Sequence, residues 1–360
     1  VPRAREMFSA GLLKEDFLLV KRILKGKDGA ERTVRQLERC NKELLNLKRA
    51  FAAEEGGEEG VRQRSVLGRD YQLLEDVNLL YLELSGLFSE LEAFMNEHLE
   101  FGDRDLVLDF YFQVRDFLYV HDRLDDNYRI YSWLLEDGSF LVKLMCINPS
   151  VNLLDQGRST LFFSATLLPI QYYKELLSGD QSEYAVYANS PFDSENRLIV
   201  AASDVSSIYR RRNRREYERV AGYIVEIVGA RKGNYMVFCP SYQYLHAVEE
   251  VFVQLEERGE LPFAWISQSS HMREEEREEF LARFARPGDG RSLAALCVMG
   301  GIFSEGIDLK EEQLIGAIVI GTGLPQVNVE QEILREYFDE HGGQGFSYAY
   351  QYPGMNKVMQ

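Results

Sequence analysis

Apolar residues recur at two different periods along this chain, and the change of period divides it. Up to about residue 125 the spacing is close to 3.6 residues, that of a helix burying one stripe. Leu12, Leu13, Phe17, Val20, Ile23 and Leu24 mark the first stripe, within residues 3–25; Val34, Leu37, Cys40, Leu44 and Leu47 mark the second, from Thr33 to Ala53. A third runs from Asp70 to His98 through Leu73, Val77, Leu80, Leu84, Leu87, Leu91 and Phe94. Phe101-Gly102-Asp103 interrupts it with Asp103 as N-cap, and Leu106, Val107, Phe110, Val114 and Phe117 make the fourth. Glu54-Glu55-Gly56-Gly57-Glu58-Glu59-Gly60 has nothing to bury and reads as a solvated loop between helices. These stretches predict an all-α unit.

From Tyr128 the period shortens. Tyr128–Trp133 and Phe140–Ile147 flank Glu136-Asp137-Gly138, whose Asp-Gly predicts a hairpin turn. Short apolar runs follow at 160–163, 184–189, 197–202, 235–238, 264–267, 293–298 and 315–320, and each reads as a strand. Amphipathic stretches at 216–230, 244–257 and 273–285 read as helices between them. Strands alternating with helices predict an α/β fold, a parallel sheet covered on both faces. Such sheets bind ligands beyond the carboxyl ends of their strands.

The chain has 360 residues, 45% of them apolar, enough for two or three packed units. Its net charge of -17 argues against indiscriminate nucleic-acid binding, although a local basic channel is compatible with an acidic exterior. One basic cluster exists, Arg210-Arg211-Arg212-Asn213-Arg214-Arg215, flanked by Tyr209 and Tyr217. It reads either as a solvated helix start or as a phosphate-neutralising patch with rings for base stacking. The four cysteines and five histidines show no metal-ligand spacing, so no metal is expected on this chain's own residues. No apolar run is long enough to span a membrane and no signal peptide opens the chain, which makes a reducing cytoplasm the default location.

Three strand ends carry candidate chemistry. After the run ending at Val298 comes Met299-Gly300-Gly301-Ile302-Phe303-Ser304-Glu305-Gly306-Ile307-Asp308-Leu309, where glycines permit close approach and Ser304, Glu305 and Asp308 supply a hydroxyl and two carboxylates. Thr160–Phe163 leads into Ser164-Ala165-Thr166-Leu167, and Tyr235–Phe238 into Cys239-Pro240-Ser241-Tyr242. Taken alone, Ser241 is equally a plain helix N-cap. Ser267-Gln268-Ser269 precedes a charged helix. Gly321-Thr322-Gly323 follows a strand but lacks the third glycine of a dinucleotide loop.

In this order these segments resemble the superfamily 2 helicases of the DinG/XPD-like type. Gly-x-Phe-x-Glu-Gly-Ile-Asp resembles their motif V, Ser164-Ala165-Thr166 motif III and Pro240-Ser241-Tyr242 motif IV; Gln360 matches the first residue of motif VI. The resemblance implies a RecA-like motor domain over residues 184–360, with motifs IV and V. It implies the end of a first motor domain over 126–183, with motif III. A helical arch-like insertion would occupy 16–125, and 1–15 would be a remnant of the first motor domain. The sequence then looks like a segment from just after motif II to the start of motif VI, expected to expose apolar sheet surface.

The family implies an ATP-dependent DNA helicase translocating 5′ to 3′ on single-stranded or forked DNA, in repair or replication. ATP and Mg²⁺ would be held mainly by a phosphate loop and an Asp-Glu-Ala-His motif that this sequence does not contain, and an iron–sulfur cluster, where present, by cysteines upstream. On the matching positions, Glu305, Asp308 and Gln360 take the catalytic roles, and Ser164, Thr166, Gly300 and Gly306 couple ATP to movement. Ser241, Tyr242, Ser304 and the arginines 210, 211, 212, 214 and 215 contact DNA. The alternative is a non-catalytic helicase-like module that binds DNA or a protein partner.

Overall fold

The computed structural model describes residues 1–53, 63–190, 192–285 and 290–359. The glutamate- and glycine-rich stretch 54–60 and Gln360 lie outside the described residues. The chain divides into two compact units. One comprises Val1–Phe163, Leu167–Tyr184 and Gln326–Ala349; the other comprises Ser164–Thr166, Ala185–Pro325 and Tyr350–Gln360.

The first unit opens with α1 (Pro2–Met7), β1 (Ala10–Leu13), α2 (Lys14–Leu24) and α3 (Glu31–Ala53). A hairpin of β2 (Gln63–Val66) and β3 (Arg69–Leu74) precedes the long helices α4 (Asn78–Glu97) and α5 (Arg104–His121). A second hairpin, β4 (Tyr128–Leu134) and β5 (Phe140–Cys146), is followed by α6 (Ser150–Leu154) and α7 (Ile170–Leu177). The helical stripes pack as their spacing demands: Leu37 and Leu44 of α3, Leu84 and Leu91 of α4, and Val114 and Phe117 of α5 are all 0% exposed in one core. Phe17 of α2 meets Phe110 of α5 edge to face at 4.9 Å between ring centroids.

The N-terminal unit is not all helical. Its five strands form an antiparallel sheet in the order β1-β5-β4-β3-β2. Two stretches of helix-like spacing are strands, because four-residue apolar runs fit either period and the sheet supplies ladder partners. Ala10–Leu13 pairs with Leu141–Leu144, and Tyr71–Leu74 pairs with Ile130–Trp133. The Asp-Gly turn forms as expected: Gly138 takes a φ of 82° and Leu135 N–H donates to Ser139 O at 2.9 Å. Asp103 stands at the N-cap of α5, but its side chain makes no capping hydrogen bond.

The second unit contains α8 (Arg214–Ala230), β6 (Asn234–Cys239), α9 (Tyr242–Glu257), β7 (Ala264–Ser267), α10 (Glu274–Ala285), β8 (Leu293–Val298) and β9 (Gly316–Val319). Its sheet is wholly parallel, in the order β7-β8-β6-β9. Alternate strand residues feed two cores, one on each face. Val237, Ala294 and Leu296 pack with Ile224, Leu245 and Phe252 of α8 and α9. Met236, Ala295 and Cys297 pack with Phe280 and Phe284 of α10.

Three expected strands are absent among the described residues. Segments 160–163, 184–189 and 197–202 have strand-like composition but no ladder partner, and a strand without one leaves its backbone groups to water. Their apolar side chains are correspondingly exposed, with Phe163 at 87%, Tyr184 at 90% and Leu198 at 87%.

After β9 the chain leaves the second unit at Pro325, forms α11 (Val329–Glu340) within the first, and returns at Tyr350 to form α12 (Tyr352–Met359). Acidic residues of α11 meet basic residues of the antiparallel sheet: Glu330 with Lys143 at 2.5 Å, Glu340 with Arg129 at 3.0 Å, and Glu336 with Arg64. Tyr131, 0% exposed, donates its hydroxyl to Glu330 at 2.8 Å, and burial beside that carboxylate holds its pKa well above the ordinary tyrosine value. Arg129 also lies over the Tyr337 ring, 4.6 Å from its centroid. All four cysteines are buried free thiols. Burial pushes Cys40, Cys146 and Cys297 up to about 12, and raises Cys239 as well.

Replacing Glu330 with alanine strips the acceptor from Tyr131 and the counter-charge from Lys143. It is expected to lower stability by about 1–3 kcal/mol, read as a lower urea midpoint. The thiols are expected to resist a thiol-reactive dye at pH 8 in the folded chain and to react together in urea, since the thiolate is the reacting form.

Candidate functional site

Parallel pairing brings every strand of the second unit to the same edge. There Met299 N–H donates to Cys239 O at 2.8 Å, Ile320 N–H to Phe238 O at 2.9 Å, and Gln268 N–H to Leu296 O at 2.9 Å. These bonds set four segments side by side in sheet order: Gln268 after β7, the glycine-rich loop after β8, Pro240-Ser241 after β6, and Gly321-Thr322-Gly323 after β9.

The loop after β8 is pinned at its centre. Phe303 is fully buried and stacks on Phe280 of α10 with centroids 4.3 Å apart. Ser304 Oγ accepts the Gly300 N–H at 2.8 Å, closing the turn that Gly300 makes with a φ of 71°. Ser304 therefore braces the loop. Past this anchor the tip projects outward: Glu305 and Gly306 are exposed, and Glu305 has no hydrogen-bond or ion-pair partner among the described residues. Asp308 is exposed too but lies 3.4 Å from the Lys310 ammonium. The two acids thus differ in what they offer a ligand.

Gln268 ties this loop to the neighbouring one. It is 1% exposed; its Oε1 accepts the Val298 N–H at 3.0 Å and its Nε2 donates to the Tyr242 hydroxyl at 2.7 Å. A Cβ on Gly301 would lie 3.1 Å from Gln268 Nε2 and 2.9 Å from Val298 O, so glycine permits the approach. Ser241 is the N-cap of α9, accepting the Tyr244 N–H at 3.2 Å. Tyr242 passes its hydroxyl hydrogen to Ser269 O at 3.3 Å.

Gly321-Thr322-Gly323 is a packing turn. Gly323 lies against Met299, the Gly354 carbonyl and Lys357, and a Cβ on Gly354 would lie 2.9 Å from Thr322 O. Ser164 and Thr166 form a local exposed turn in which Thr166 N–H donates to Ser164 Oγ at 3.3 Å. The expectation of a buried strand leading into it is not met.

The arginine cluster separates into two kinds. Arg212 donates from Nε to Ser207 O at 3.0 Å and lies near the Tyr209 and Tyr244 rings, 5.5 and 5.3 Å from their centroids. Arg214 pairs with Glu218 at 2.8 Å and also reaches Gln254. Arg210, Arg211 and Arg215 are exposed, and their guanidinium groups have no partner among the described residues. Tyr217 packs edge to face on the buried Tyr244 at 4.9 Å, so its ring belongs to the core, while Tyr209 is 73% exposed.

Three features escape sequence reasoning to different degrees. Phe303 is written in the motif beside the acids, but its role as anchor depends on Phe280 of α10. Gln268 follows a strand, but its two partners come from the end of β8 and the start of α9. Lys357 meets Gly300 and Gly323 only through the folding of α12. Among the described residues no three His, Cys, Asp or Glu gather to hold a metal ion. No helix in the described residues is long and apolar enough to cross a membrane.

Residues 224–360 match the family model described as a helicase C-terminal domain. A probable ATP-dependent helicase of Methanocaldococcus jannaschii is 24% identical over 246 residues, covering 66% of this chain and 35% of its own length. An apo XPD structure superposes with a TM-score of 0.51 at 15% identity, over 99% of this chain and 66% of that one. An XPD helicase structure aligns with a TM-score of 0.45 at 14% identity, over 99% of this chain and 58% of that one. The chain therefore spans about a third of the curated relative it matches. Residues 224–360 therefore match a helicase C-terminal domain, and the fold of the chain is similar to that of the apo XPD structure.

Proposed function

We propose that the protein containing this chain is an ATP-dependent DNA helicase, translocating 5′ to 3′ on single-stranded DNA and acting on forked substrates in repair or replication. The observation that carries this reading is the row of helicase-type loops along one carboxyl edge, joined through Gln268, together with the match to a helicase C-terminal domain. Residues 184–360 would be the second motor domain and 126–183 the end of the first, with residues 16–125 as an arch-like insertion into it. On this reading the unpaired strand-like segments 160–163, 184–189 and 197–202 belong to motor-domain sheet structure.

ATP supplies the energy of translocation. ATP and Mg²⁺ would be held mainly by a phosphate loop and an Asp-Glu-Ala-His motif that this sequence does not contain, and the share of these residues would be to grip the strand and to sense the nucleotide state. A loop nailed down by Phe303 and closed by the Ser304 to Gly300 bond cannot deform freely. It carries Glu305 as a rigid extension of β8, and an anchored tip moves when the domain moves. With no partner among the described residues, Glu305 is free to accept a hydrogen bond from a ligand or a facing loop, whereas Asp308 is already neighboured by Lys310. Ser241 and Tyr242 lend the strand the start of α9, where backbone N–H groups favour phosphate.

In the protein carrying this chain, Glu305→Gln is expected to lower DNA-stimulated ATP turnover about tenfold to a hundredfold, the cost of one charged hydrogen bond. Asp308→Asn is expected to change it by less than about threefold. Unchanged turnover and unwinding in the Glu305 variant would remove the helicase role of this loop and favour the binding-module reading. Changing Arg210, Arg211 and Arg215 together to Gln is expected to flatten the dependence of log affinity for single-stranded DNA on log salt by about 2, at roughly 0.7 per phosphate contact. An unaltered slope would show these arginines to be solvated surface.

A further inference from the structure

A cation stands on the carboxyl edge of the parallel sheet without a counter-charge among the described residues. Lys357 of α12 lays its methylene stem over Gly300, where an added Cβ would lie 3.3 Å from Lys357 Cδ and 3.4 Å from Cε. The base of the stem abuts Gly323, where an added Cβ would lie 3.2 Å from Lys357 Cβ. Both glycines have positive φ, 71° and 62°. Any other residue at either position would be strained and would meet the lysine, so two glycine turns make the bed in which this side chain lies.

The bed places the end of the stem at the loop after β8 and takes it partly out of water. Burial lowers the pKa of Lys357 below the ordinary lysine value. Its ammonium has neither a carboxylate nor a hydrogen-bond acceptor among the described residues. Of the two acids of the adjoining loop, Asp308 lies by Lys310 and Glu305 is solvent-exposed and unpaired. The same loop keeps unused backbone N–H donors at Ile302, Glu305 and Gly306 among the described residues. A partly buried ammonium carries a desolvation cost until an anion meets it, and a glycine-rich turn with free N–H groups is a setting that suits oxyanions.

We propose that Lys357 is a phosphate-binding residue at the carboxyl edge of the sheet, presenting its ammonium beside Gly300 to a phosphate group of a nucleotide or of a nucleic-acid strand. The site itself follows from the packing of α12; only the source of the phosphate rests on the helicase reading. A phosphate has the several acceptor oxygens needed to meet an ammonium and neighbouring N–H groups together. Its arrival would exchange water on a half-buried lysine for a charge-assisted bond, and α12 would report occupancy to the loop through the shared glycines.

The test uses the whole chain with its lysines ¹³C-dimethylated, the Lys357 signal being assigned from its loss in Lys357→Arg. Titration with inorganic phosphate, a non-hydrolysable ATP analogue and a dT oligonucleotide is expected to shift that signal saturably with at least one of the three. Lys357→Met keeps the stem on the glycines without the charge. It is expected to weaken binding of the ligand that produces the shift about tenfold, with an unchanged thermal melt, while Lys357→Arg retains most of it. A shift with the analogue alone identifies a nucleotide phosphate, and with the oligonucleotide alone a strand phosphate. A Lys357 signal indifferent to all three, or unaltered affinity in Lys357→Met, overturns the proposal. DNA binding by a chain whose Lys357 signal moves with none of the three ligands leaves the helicase reading standing without this site. A phosphate shift in a chain that binds neither DNA nor nucleotide leaves the site standing without that reading.

Discussion

Parallel pairing of β7, β8, β6 and β9 is the constraint from which the functional edge follows. Parallel strands all end on the same side, so four segments far apart in sequence emerge as neighbours. Because alternate side chains of the central strands are taken up by cores on opposite faces, the edge is the part of the sheet left to interact. The backbone bonds that continue the ladder beyond the strands, from Met299 to Cys239 and from Ile320 to Phe238, carry that order into the loops. Phe303 completes the arrangement by drawing the middle of the longest loop into the core below α10.

The first unit solves a different packing problem. Its helices α2, α3, α4 and α5 share one apolar core, and the antiparallel sheet carries a second, more polar layer. Lys143, Arg129 and Arg64 from three different strands receive α11, whose acids lie along one side of the helix. The buried Tyr131 hydroxyl fixes the position of Glu330 in a way that exposed charge alone would not.

The period of the apolar residues reveals long elements and misleads on short ones. The stripes of α3, α4 and α5 and the β4–β5 hairpin follow from spacing and from Asp137-Gly138, since each is long enough for one period to dominate. Ala10–Leu13 and Arg69–Leu74 are too short for that, and their strand character comes from β5 and β4 alongside. The reverse holds for 160–163, 184–189 and 197–202, where composition favours a strand and no ladder partner exists among the described residues. Site residues divide similarly. The Ser241 cap and the exposed glutamate at 305 are local properties. The roles of Gln268 and Lys357 arise where separate strands and a distant helix meet, and one-dimensional spacing carries no trace of that.

The excursion of residues 326–349 has a consequence for how this protein can be dissected. The helicase C-terminal family region runs unbroken from 224 to 360, yet α11 within it finds its basic counterpart on strands that begin some two hundred residues earlier. An excised motor domain cut at its homology boundary would carry a helix with an acidic face stripped of Arg64, Arg129 and Lys143. Heredity draws one border through this chain and folding draws another, and a stable autonomous module must respect the second.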